Sequence, residues 1–102
     1  MKASSLPIAC SLTEPELRER RSRVLQKVGQ AVLEVVEAEN GYAYRFPSDD
    51  EWLNELMNLV RLERQCCPFL TFRISAEANG RAVWLELTGP SGTKEFLSSF
   101  LQ

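Results

Sequence analysis

Two Asn-Gly pairs, Asn40-Gly41 and Asn79-Gly80, set the frame of this chain. Each sits between two short runs of alternating apolar and polar residues. That combination is the strongest local signal for a β-hairpin, because a two-residue turn needs positive φ and these residues tolerate it. A turn at Asn40-Gly41 sets Val35 opposite Phe46, Val36 opposite Arg45 and Glu37 opposite Tyr44. One face then carries Leu33, Val35, Tyr44 and Phe46; the other carries Glu34, Val36, Ala43 and Arg45. Around Asn79-Gly80 the pairing predicts Phe72 with Leu87, Ile74 with Leu85 and Ala76 with Val83. Arg73 then faces Glu86 and Ser75 faces Trp84 on the opposite side. Apolar and charged partners both match, which fixes the register.

A helical pattern precedes each hairpin. Thr13-Glu14-Pro15-Glu16 has the spacing of a capping box, with proline in the tolerated first turn. Leu17, Val24, Leu25, Val28 and Val32 then recur at helical spacing, and the helix should end near Gly29-Gln30. Arg18, Arg20, Arg21 and Arg23 read as a solvated face, with pairs such as Glu14–Arg18 and Glu19–Arg23. Ser48-Asp49-Asp50-Glu51 is a second capping box with acids where the helix dipole favours them. That helix runs through Trp52, Leu56, Leu59 and Val60 to about Cys66, where Pro68 disfavours helical geometry at Cys67. Leu6 to Leu12 reads as an N-terminal strand, restricted by Pro7 to an edge or a strand start. A short helix with Phe96, Leu97, Phe100 and Leu101 inward follows the Gly89-Pro90-Ser91-Gly92 turn.

The predicted order is β-α-β-β-α-β-β-α, a single α+β domain over residues 1–102. It has an antiparallel sheet with helices on one face. The first six elements fit a ferredoxin-like split βαβ, with the fifth strand extending an edge. The open sheet face would carry Val36, Ala38, Thr71, Ser75, Trp84 and Thr88, a half-apolar surface suited to a homodimer contact.

Composition narrows the function. The 102 residues are 44% hydrophobic and 25% charged, ordinary for a globular chain, and the net charge of −2 gives no field for nucleic acid or membrane. Histidine is absent, which removes Ser-His-Asp and Cys-His catalysis and every His-ligated zinc site. No run reaches the roughly 18 apolar residues of a membrane span, and the N-terminus lacks the pattern of a secretory signal. Three cysteines, two of them adjacent, argue against a disulfide framework and for a reducing, cytoplasmic setting.

The chemistry of the chain therefore concentrates in Glu63-Arg64-Gln65-Cys66-Cys67-Pro68-Phe69. Glu63 precedes the cysteines by three and four positions, so the three share one helix face. In the split βαβ order the first strand neighbours the strand after Pro68, which would bring Cys10 to the same place. Cys10, Cys66, Cys67 and Glu63 are the candidate metal ligands, with three soft sulfurs suited to Zn(II), Hg(II) or As(III). The sequence offers no catalytic residue and no cofactor-binding residue, and it names no cofactor beyond a soft metal ion. Metal binding predicts sulfurs within about 4 Å of one another and partly accessible. A non-catalytic dimeric interaction module is the alternative, with the cysteines as small core hydrophobes. A thiol-dependent redox protein is the third reading. It is weakened by the missing C-x-x-C spacing and by the helix C-terminus, whose partial negative charge disfavours thiolate unless Arg64 or another cation offsets it.

Glu63 with Cys66-Cys67-Pro68-Phe69-Leu70-x-Phe72 is preceded by Pro7-x-x-Cys10-x-Leu12 and followed by Trp84-Leu85-x-Leu87-Thr88-Gly89-Pro90. Together these resemble a family of small bacterial proteins with an N-terminal cysteine and an E-x-x-C-C-P-F-x-x-F motif. The resemblance spans nearly the whole chain. It implies an association with heavy-metal resistance or metal-responsive regulation, on Cys10, Glu63, Cys66, Cys67, Pro68 and Phe69. It implies no activity.

Overall fold

The computed structural model describes residues 14–98. The expected strand over Leu6–Leu12, the Thr13 cap, Cys10, and the inward positions Phe100 and Leu101 lie outside the described residues. Within them the order is α1 (Pro15–Gln30), β1 (Glu34–Ala38), β2 (Gly41–Phe46), α2 (Asp50–Cys66), β3 (Thr71–Ala76), β4 (Val83–Thr88) and α3 (Thr93–Leu97). A short 3₁₀ turn, Ala78–Gly80, joins β3 to β4. The protein is α+β, with a four-stranded antiparallel sheet and three helices among the described residues.

The sheet order is β1-β2-β4-β3. This corrects the ferredoxin-like expectation. That order places an N-terminal strand between the two hairpins and sends β4 to an edge. Instead β4 pairs β2 directly, with Tyr44 opposite Leu85 and Phe46 opposite Val83. Val83, Leu85 and Leu87 are all buried, so β4 is the most apolar strand on its inner face and takes the centre.

The second hairpin keeps its expected register at every pair, from Phe72–Leu87 to Ala76–Val83. Asn79 and Gly80 both adopt positive φ, 64° and 63°, as the turn requires. The first hairpin is shifted by two residues: Val35 faces Tyr44 and Ala38 faces Gly41. The loop is Glu39-Asn40, with Asn40 at φ 56°. Gly41 belongs to the strand because β4 crosses it closely; a Cβ there would collide with the Leu87 carbonyl. A slip of two residues preserves which side chains share a face, so Tyr44 and Phe46 remain core. Leu33 and Val35 do not: they are 55% and 40% exposed at the β1 edge.

The helices pack on the inner sheet face around Val28, Leu56, Leu59, Leu85, Leu87 and Leu97. The N-cap of α2 is Asp49, with no side-chain capping bond, so the Ser48–Glu51 box does not form. The acids Asp50 and Glu51 still occupy the first turn, where they oppose the helix dipole.

Candidate metal centre

The end of α2 builds the site. Its inward stripe is Leu56, Leu59, Leu62, Glu63 and Cys66, all buried. Pro68 forces the helix to end at Cys67, which turns to φ −124° and ψ 75° as its C-cap. The Cys67 amide still donates to the Glu63 carbonyl at 2.6 Å, and Leu70 donates to the Cys67 carbonyl at 3.1 Å. These bonds fold the chain tightly and bring consecutive cysteines to one side.

Glu63, Cys66 and Cys67 are fully buried, and one ligand atom from each lies within 4.8 Å of the others. The Cys67 thiol donates to Glu63 Oε1 at 3.4 Å, and its Sγ lies 3.6 Å from Cys66 Sγ. Two sulfurs on a tetrahedral zinc at about 2.3 Å sit about 3.8 Å apart, close to this spacing. The expectation of clustered sulfurs is met for this pair. The expectation of partial accessibility is not, since neither cysteine has exposed surface. The two cysteines also differ in state. Cys67 carries a free thiol, whereas Cys66 is disulfide-bonded, contrary to the expectation of free cysteines throughout.

Sequence reasoning missed Arg21. Its Nε donates to Glu63 Oε2 at 2.7 Å and its Nη2 to Oε1 at 3.2 Å, a forked pair that neutralises a carboxylate with no water contact. Arg21 is therefore not part of the solvated basic face. The signal was available: Leu17, Arg21, Val24 and Val28 follow one another at helical spacing, so Arg21 stands on the apolar stripe of α1. A cation on one stripe and an acid on the stripe of the next helix mark a buried pair. Arg64 stands in the last turn of α2 and is exposed.

The Cys67 thiol is pushed up to about 12 from its usual 9.0, first by burial, then by the charge of Glu63 and its hydrogen bond. Arg21 pulls the other way without cancelling these. Cys67 thus holds its proton at neutral pH, as a thiol at a helix C-terminus should.

Beside the cluster lies a cavity of about 470 Å³ lined by Val60, Arg64, Cys67, Pro68, Leu70 and Phe72. No described helix is long and apolar enough to cross a membrane. No family model, curated protein or solved structure matches the chain.

Proposed function

We propose that the chain binds a soft metal or metalloid ion in a reducing compartment, through the sulfurs of Cys66, Cys67 and Cys10. Glu63, held by Arg21 and hydrogen-bonded to the Cys67 thiol, orients that thiol or serves as a further ligand, and the thiol proton leaves to solvent when the ion binds. The observation that carries this reading is the convergence of the buried Glu63, Cys66 and Cys67 within 4.8 Å. Cys66 serves as a ligand once its disulfide has been reduced by a thiol or phosphine, with two electrons and two protons. Ionising Cys67 at pH 7 from a pKa of about 12 costs about 7 kcal/mol. Structural zinc sites in small peptides return roughly 10–16 kcal/mol at that pH, enough to offset it.

A thiol-redox reading draws on the Cys66 disulfide beside the Cys67 thiol. It ranks second because exchange proceeds through thiolate, and only about one Cys67 in 100,000 is ionised at pH 7.

The test is native mass spectrometry and a thiol count on phosphine-reduced protein, with and without one equivalent of Zn(II) or Hg(II). One bound ion that protects the thiols together, weakened by Cys10→Ser, Cys66→Ser and Cys67→Ser alike, supports the site. No retained ion, with thiols that react only after unfolding, rejects it.

A further inference from the structure

The groove between α1 and α2 holds two cations that no described carboxylate neutralises. Arg21, Lys27, Arg45, Arg73 and Lys94 each sit on an acid. Arg20 of α1 and Arg61 of α2 make no ion pair with any described residue, although both line one pocket of about 240 Å³. Close by, Arg21 and Glu63 join the same two helices as cation and acid. At the pocket each helix brings a cation instead, and two like charges on one pocket repel unless an anion joins them. Arg61 Nη1 donates to Asn58 Oδ1 at 3.1 Å, which ties that guanidinium to another lining residue. Leu17, Val24 and Leu62 give the same lining its hydrocarbon.

We propose that this pocket binds a small aryl phosphate monoester, with its phosphate held by Arg20 and Arg61 and its ring against Leu17, Val24 and Leu62. A phosphate monoester is close to doubly charged at pH 7, so it matches two guanidinium groups. The planar fork of arginine suits phosphate oxygens, and the Asn58 amide is a further donor on the same wall. Size limits the ligand as well. A cavity of about 150 Å³ accepts benzene. The balance of the pocket, roughly three waters at about 30 Å³ each, is left for the charged head. The whole lies below the roughly 300 Å³ at which drug-sized sites begin, which favours a free small molecule. Binding is non-covalent and does not involve Cys66 or Cys67, so it is independent of the metal reading.

The experiment uses the full chain without added metal. Phenyl phosphate, methyl phosphate and benzoate are titrated at pH 7, and the arginine Nε and Cζ resonances are followed by carbon-detected NMR. The Arg20 and Arg61 signals should move together with phenyl phosphate and report one affinity. Methyl phosphate, which lacks the ring, should bind about tenfold more weakly, the effect of removing roughly 55 Å² of ring surface from water. Benzoate, with the ring but a single charge, should bind about fivefold more weakly, the scale of one exposed ion pair. Arg20→Gln and Arg61→Gln should each weaken phenyl phosphate by about fivefold. Arg18→Gln removes the same charge from α1 outside the pocket and should leave the affinity almost unchanged. All three arginines are exposed, so the variants keep the core intact. The proposal is overturned if the Arg20 and Arg61 signals stay still, or if methyl phosphate or benzoate binds as tightly as phenyl phosphate. It is equally overturned if Arg18→Gln costs as much as Arg20→Gln, since a diffuse basic surface would then hold the ligand.

Discussion

Replacing Arg21 by methionine should strongly destabilise the α1–α2 contact. Arg21 is the forked partner of Glu63, whose carboxylate is fully buried. Methionine keeps much of the side-chain volume but leaves that carboxylate without its cation. Breaking a buried pair from one side costs about 3–5 kcal/mol. Arg21 is 20% exposed, which places the loss at the lower end, about 3 kcal/mol. Glu63→Gln is milder, about 1–2 kcal/mol, because the guanidinium can turn toward water and the amide still accepts a hydrogen bond. The double variant, with neither charge, should lose about 2 kcal/mol, since an ion pair replaced on both sides gives back its desolvation cost.

Those values give a coupling of about 2–3 kcal/mol between the two positions. Arg21 makes further interactions besides Glu63, so the cycle is needed to separate the pair from the rest of the side chain. The assay is urea denaturation followed by far-UV circular dichroism on all four proteins. In thermal melts, Arg21→Met alone should lower Tm by roughly 12–24 °C at 4–8 °C per kcal/mol. A loss under about 1 kcal/mol for Arg21→Met, with coupling under about 0.5 kcal/mol, would refute the claim that this pair is buried and interdependent.

Alkaline pH supplies a second check. Cys67 is raised from 9.0 to about 12, so the unfolded chain loses this proton first and stability falls as pH climbs from 9 toward 12, by about 4 kcal/mol in all. Burial also raises Tyr44, which adds to the alkaline loss in any variant that keeps it. Reduced wild type should therefore lose at least about 1 kcal/mol more than Cys67→Ala between pH 8 and pH 10.5 in urea melts. Equal losses would show that the thiol is not shielded. The glycines give a third comparison. Gly41→Ala sets a Cβ against the Leu87 backbone and should cost about 3 kcal/mol, through separation of β2 from β4. Gly80→Ala has open space and only its positive φ to strain, and should cost about 1–2 kcal/mol. Gly41→Ala as mild as Gly80→Ala in the same melts would mean that the two strands can part cheaply.

Local pattern carried much of this protein. Proline at 15 and 68 bounds the two long helices, and the Asn79-Gly80 turn fixes the β3–β4 register because each side chain pair has one sensible partner. The Glu63–Cys66 spacing follows from helical periodicity, and Cys67 joins them through the turn that Pro68 imposes at the helix end. Longer-range choices were not legible. Either Asn-Gly residue or their neighbour can close a two-residue loop, so the first hairpin could slip by two without exposing its core; the approach of β4 to Gly41 settles it. The strand order depended on which inner face was most apolar across the whole sheet, a comparison that no single segment contains. Arg21 and Glu63 each look like a charged residue within its own helix. Only the packing of α1 on α2 makes them partners, because desolvation is a property of the surroundings and not of the side chain. The same packing, with no exposed thiol among the described residues, turned two adjacent cysteines into a shielded cluster beside a cavity.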